Sequence, residues 1–69
     1  MQNKLKTFRE QQALTQEQLA NAVGVSRQSI ISIEKGHYIP TTLLALKIAI
    51  VMKQDVEEIF ILEKKDWAE

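Results

Sequence analysis

Arg27, Gln28, Ile31, Ser32 and Lys35 are the residues of this chain whose types and spacing point to chemistry. Stepped at about 100° per residue, as along an α-helix, they fall on one broad face. Ile30, Ile33 and Ser26 point the other way. The chemistry is recognition through hydrogen bonds. A guanidinium donates two parallel bonds to a guanine edge, a carboxamide matches an adenine edge, and a hydroxyl suits either. Lys35, near the end of the segment, is better placed for phosphate. A face that only meets water would more usually mix Glu and Lys. No acid lies on this one, and the nearest, Glu34, sits on its flank.

Catalytic chemistry finds no support. The 69-residue chain has no cysteine, hence no thiolate, disulfide or thiolate metal site. His37 is the lone histidine and cannot build a zinc centre without partners. There is no phosphate loop and no paired carboxylate in a pocket-forming context. No catalytic residue, metal or cofactor is expected.

Net charge is zero, which at first argues against a polyanionic partner. The distribution argues otherwise. Residues 1–54 carry seven Lys and Arg against three Glu, a net +4, and residues 55–69 a net −4. Local charge decides where phosphates can dock.

Stepping along the chain, these residues need helices to hold them. Residues 4–12 place Leu5 and Phe8 on one face, which predicts a first helix. Thr15 then reads as an N-cap with Gln18 three residues on, a capping box, and Leu14 and Leu19 have the spacing of a hydrophobic staple. Gly24 stops this second helix, since glycine takes positive φ without steric cost. Ser26 caps a third helix over residues 26–35, with Gly36 as its stop. Thr41 or Thr42 caps a fourth, with Leu44, Ala45, Ile48, Ala49 and Met52 as its apolar stripe. Asp55 caps a fifth, whose inward residues are Val56, Ile59 and Phe60. The stretch after it, Ile61 to Trp67, is read as an extended tail that could supply one strand.

Two short helices joined only by Val23, Gly24 and Val25 must cross steeply. Leu19, Ala20, Val23, Ile30 and Ile33 would lock the crossing, with Ala20 small enough to let it close. That geometry can push a second helix out into a major groove. It also suits an ordinary helical corner, and the polar outer face is what favours the groove.

The motif residues resemble the Cro/C1-type (XRE) helix-turn-helix family. The likeness lies in Thr15 to Ala20, Val23 to Ile30 and Ile33 to Gly36. It continues through Tyr38 to Thr41, Leu44 to Ala49 and Val56 to Phe60. It covers about residues 3–62 and implies an all-α, five-helix, lambda-repressor-like domain. That domain would span 1–62, with its helix-turn-helix at 16–35 and a tail at 63–69. The resemblance further implies binding of double-stranded operator DNA, usually as a homodimer. On it, Arg27, Gln28 and Ser32 match base-reading positions. Gln16, Ser26 and Lys35 match phosphate contacts. His37, outside the likeness, is read as a loop residue near the DNA phosphate backbone. Arg9 and Glu34 match a structural ion pair between the first and third helices.

Some positions depart from the pattern. Ile31 stands where the family is usually polar. It either touches a thymine methyl or is an ordinary exposed isoleucine. Leu43 also replaces a usually polar residue and Thr42 a usually apolar one. Leu43, Leu46 and Ile50 then line a second face of the fourth helix, as extra core or as partner-facing surface.

A chain this small buries only roughly 60% of its extended surface, and pairing is a common remedy. The expected interface is Ile59, Phe60, Ile61, Leu62 and Trp67, with Leu43 and Ile50 as further candidates. Trp67 could cap its own core, pack across the dimer or be disordered. No run reaches the ~20 apolar residues of a membrane span, so the expected setting is the cytoplasm. Three functions fit: an autonomous repressor, an antitoxin that also binds a toxin, and a protein-interaction module that kept the fold. The fold does not choose among them.

Overall fold

The computed structural model describes residues 1–68. Its elements run β1 (Gln2–Asn3), α1 (Leu5–Gln11), α2 (Gln16–Val23), α3 (Arg27–Glu34), α4 (Thr42–Met52), α5 (Val56–Ile59) and β2 (Phe60–Ile61), then a 3-10 turn, Lys64–Trp67. The expected five helices are present. A strand does follow the fifth helix, at Phe60–Ile61, but the stretch beyond it is not extended as expected: Lys64–Trp67 winds into the 3-10 turn. The strand's partner lies at the N-terminus and was not suggested by the sequence.

The helix starts follow from local chemistry. Thr15 Oγ1 accepts the Gln18 amide at 3.0 Å and the Gln18 side chain accepts the Thr15 amide at 2.9 Å. Both ends of the capping box are thus made, which satisfies N–H groups that the helix cannot bond itself. Ser26 Oγ accepts the Ser29 amide at 3.2 Å, and Thr41 caps α4 through the Leu44 amide. Asp55 differs: it precedes α5 but makes no side-chain cap bond. One turn later Phe60 turns extended, at φ −109° and ψ 117°, and joins β2. So α5 is shorter than its apolar spacing implied.

The turn between α2 and α3 rests on Gly24 at φ 78°. No atom lies within 4 Å of where its Cβ would stand. The demand for glycine is therefore set by the backbone, because L side chains disfavour the left-handed region.

The core lies between the helices. Leu5, Leu19, Ile30, Ile33, Ile48, Met52 and Ile59 are its largest fully buried side chains, joined by Ala20, Val23, Leu44, Ala49 and Phe60. Burying a leucine or isoleucine contributes about 1.5–3 kcal/mol, so this cluster dominates a domain with little else to hold it. Around it, α2 packs on both α3 and α4, and α4 packs on α5.

The chain ends are tied together. β1 pairs antiparallel with β2, Gln2 opposite Ile61 and Asn3 opposite Phe60. Asn3 also reaches α3: its Nδ2 donates to the Ile33 carbonyl at 2.9 Å. The Met1 amino group lies 3.0 Å from Glu63 Oε1 and donates to Asp66 Oδ1 at 3.1 Å. The bonds it donates to these two carboxylates, Glu63 first, raise the affinity of that amine for its proton.

The pairing explains a correction. Ile59 and Phe60, expected at a dimer surface, belong to the chain's own core. Ile59 is fully buried and its carbonyl accepts the Lys4 amide at 2.8 Å. Ile61 is half-buried in β2. Of the five residues expected at that surface, only Leu62 and Trp67 are well exposed. Trp67, at 76% exposure, does not cap the core. No helix among the described residues is long and apolar enough to cross a membrane.

Candidate nucleic-acid interface

The candidate site is built on α3, whose inner side chains Ile30 and Ile33 are fully buried. With those two turned inward, the helical repeat carries Arg27 and Gln28 fully outward and leaves Ile31 and Ser32 half-exposed. Ile31 is not among the apolar side chains packed against the buried cluster. It therefore belongs to the outer surface. Lys35 is the C-cap and is exposed.

After α3 the chain folds back. Gly36 takes φ 78°, its amide reaches the Ile33 carbonyl, and the His37 amide donates to the Ser32 carbonyl at 2.9 Å. This closure satisfies the last carbonyls of the helix. It also lays His37 and Tyr38 beside the outer face. A polar cleft results, lined by Ser26, Gln28, Ser29, Ser32, His37 and Tyr38. Four of these were expected; Ser29 and Tyr38 were not. Ser29 stands three residues after the cap, where a hydroxyl can meet Ser26 Oγ, and the two lie 3.1 Å apart. Tyr38 becomes visible only once the glycine turn brings the loop back.

A second cleft lies where α2 begins, lined by Arg9, Thr15, Gln16, Glu17 and Arg27. It sets the start of α2, with its unpaired amides, beside the first residue of α3. Such amides favour anions, although Glu17 at the same cleft opposes one.

Arg9 and Gln16, at this second cleft, belong to a largely buried network. Arg9 Nε donates to Glu34 Oε2 at 2.6 Å and Arg9 Nη2 to Glu34 Oε1 at 3.3 Å. The remaining guanidinium nitrogen donates to the Leu14 carbonyl at 2.8 Å. Side-chain exposure is 10% for Arg9 and 5% for Glu34, so the pair is largely desolvated. The bond to Glu34 pushes the Arg9 guanidinium above its ordinary value, against the opposing effect of burial. The network has a third member that the sequence did not reveal. Gln16 Nε2 donates to Glu34 Oε1 at 3.1 Å. Gln16 is thus held by the acid that holds Arg9, and the last turn of α1 and the start of α2 are both fastened to the end of α3. One proton of the Gln16 amide group remains for an outside acceptor.

With this geometry in place, comparison with known proteins assigns the family. The helix-turn-helix family model matches residues 5–59. The chain belongs to the XRE (Cro/C1-type) helix-turn-helix family. This XRE-family protein is 56% identical over 63 residues to MJ0272 of Methanocaldococcus jannaschii, an uncharacterised HTH-type transcriptional regulator; the match spans 91% of this chain and 96% of that one. It is 44% identical over 66 residues to YgzD of Bacillus subtilis, another uncharacterised HTH-type transcriptional regulator, spanning 96% of this chain and all of YgzD. Among solved structures it resembles the restriction-modification controller protein C.AhdI of Aeromonas hydrophila. The TM-score is 0.74 at 28% identity, covering 81% of this chain and 85% of that one. The fold alone is shared with the clp gene regulator ClgR of Corynebacterium glutamicum, at TM-score 0.73 and 24% identity, over 78% of this chain and 57% of ClgR's. The XRE-family protein is a transcription regulator with a helix-turn-helix DNA-binding domain.

Proposed function

We propose that this regulator is a cytoplasmic repressor that occupies a palindromic operator as a homodimer, one α3 helix entering each of two major grooves. The observation that carries this reading is the outer face of α3. It offers a guanidinium, a carboxamide, a hydroxyl and an apolar side chain in one strip, free of acids, on a helix fastened from below by the Arg9–Glu34 pair. In this reading Arg27, Gln28 and Ser32 contact base edges and Ile31 meets a thymine methyl. Gln16, Ser26, Lys35 and His37 contact phosphates along the flanks. Gln16 lines one polar cleft and Ser26 and His37 the other, which supports this reading for those three; Lys35 lies at neither.

A single α3 reads only a few base pairs, so the dimer supplies the rest of the specificity. Two copies related by a two-fold axis read half-sites about 34 Å apart. Repression then follows from occupancy, because a bound dimer denies polymerase the same DNA.

The test is selection of bound sequences from random double-stranded DNA, followed by affinity measurements across salt concentration. The expected product is an inverted repeat with half-site centres about one helical turn apart. Affinity should fall steeply with salt, as for a protein that displaces counterions from phosphates. Recovery of no common sequence, with weak binding to all duplexes alike, would falsify the reading.

A further inference from the structure

Helix α4 is apolar on both sides. Its sequence, TLLALKIAIVM, contains one charged residue, Lys47. Leu44, Ile48, Ala49 and Met52 face the core. Leu43, Leu46 and Ile50 face outward, at 66%, 50% and 77% exposure. Ile39, 65% exposed, extends the patch from the preceding loop and shares a groove with Ala45 and Leu46. A helix apolar all round is normally a buried helix. Contiguous apolar surface of this kind on a small protein marks a place where something docks.

The charges beside the patch say what docks there. Ile50 forms a crest between two depressions. On the α2 side the depression is lined by Asn21, Ala22 and Lys47, with Gly24 and Val51 behind them. On the α5 side it holds Asp55, Glu57 and Glu58, with Lys53 the single cation among them. The crest thus has a basic edge and an acidic edge. A two-fold axis running along such a crest sets each edge against the opposite edge of the other copy, since every contact in an isologous interface occurs twice with its members exchanged. Lys47 of one copy then meets the carboxylates of the other, around a shared core of Leu43, Leu46 and Ile50. Complementary edges of this kind fix the register of an interface more than they strengthen it.

We propose that the outer face of α4, with Leu43, Leu46 and Ile50 at its centre, is the surface on which a second copy of this chain pairs. This rests on the homodimer reading given above and moves the pairing surface from the C-terminal strand to α4.

Sedimentation equilibrium of the full chain, across the micromolar range, tests it. The wild type is expected at twice its 7.9 kDa mass. Ile50→Glu is expected to raise the dimer dissociation constant about 30-fold or more, the effect of losing a central interface residue. Circular dichroism should show unchanged helix content, and Leu43→Glu provides a second variant if the first does not fold. Lys47→Glu alone and Glu57→Lys with Glu58→Lys should each weaken pairing, and all three together should restore it. A wild type that stays monomeric overturns the homodimer reading and this surface with it. A wild-type dimer unmoved by either glutamate substitution overturns the surface and leaves the homodimer standing. A dimer lost with Ile50→Glu but not restored by the charge exchange overturns the two-fold arrangement of edges.

Discussion

Helices α3 and α4 serve the same core with opposite outer faces. Each turns isoleucines inward, Ile30 and Ile33 from α3 and Ile48 from α4, to near-zero exposure. Outward, α3 presents Arg27, Gln28 and Ser32, whereas α4 presents Leu43, Leu46 and Ile50. Inner faces in a small domain are interchangeable in kind, because burial asks only for apolar volume. Outer faces are where such a chain differentiates. A polar, acid-free strip suits a ligand rich in acceptors, and an apolar strip with sorted charges suits a protein. The two faces should therefore be separable by substitution, provided the scaffold beneath them holds.

The largest expected effect strikes that scaffold and removes both faces together. Glu34→Ala leaves Arg9 buried without its partner and Gln16 without its acceptor. Losing one member of a buried pair costs about 3–5 kcal/mol, enough to unfold much of a 69-residue domain. Thermal melting followed by circular dichroism measures this; a melt like the wild type's would show that the network adds little.

Next comes a change confined to α3. Arg27→Ala should cost about 1–3 kcal/mol of operator affinity and relax preference at one base position per half-site. Dimer mass and melting should not move. A loss of equal size on every DNA sequence would place Arg27 at phosphate instead. Lys35→Ala is expected to do less and to do it uniformly. All sequences should weaken alike, and the slope of log affinity against log salt should shrink by roughly one contact per protomer. Titration with salt on two unrelated operators separates this from a base contact.

The smallest effect lies outside both faces and sharpens the contrast by leaving them alone. The Asp66 carboxyl is held below its ordinary range, first by the bond from the Glu63 amide and then by the Met1 amino group. A carboxylate depressed in the folded state contributes above its unfolded value and stops contributing as pH falls through the folded one. The Lys64–Trp67 turn should therefore hold at neutral pH and loosen below about pH 4. Trp67 fluorescence reports the loosening. Asp66→Asn should loosen the turn at every pH without changing DNA binding.

What could be read from the sequence was whatever depends on neighbours in the chain. The Thr15–Gln18 box, the Ser26 cap and the turns at Gly24 and Gly36 involve residues at most a few positions apart, and each stands where its spacing places it. The Arg9–Glu34 pair spans 25 residues, and the family resemblance, not the spacing, exposed it. Other features had no local signature. Two residues of strand, Gln2–Asn3, carry no periodicity, and their partner lies almost 60 positions away in register with Ile61. Ile59 and Phe60 read as inward residues of the fifth helix, yet without that pairing they could also be counted toward a surface for another copy. Gln16 was legible as the residue that opens the second helix, matched by the resemblance to a phosphate contact, but its bond to Glu34 depends on how α2 and α3 cross. Asp55 shows the reverse: its type and position fit a cap, yet the helix it precedes ends within one turn, and no cap bond forms.

The fastening of α3 has a mechanical consequence. The Ile33 carbonyl and the Glu34 carboxylate are gripped by Asn3, Arg9 and Gln16, all near the end of the helix. Arg27 sits at the other end, some 10–12 Å along the axis. On the proposed reading, the helix is a lever anchored near one end with its working tip at the other. A tilt of about 5° at the anchor swings the tip by roughly 1 Å, enough to spoil a two-bond match to a base edge. On the proposed reading, the stiffness of these four part-buried hydrogen bonds limits how sharply α3 tells one base from another, at a distance from any base.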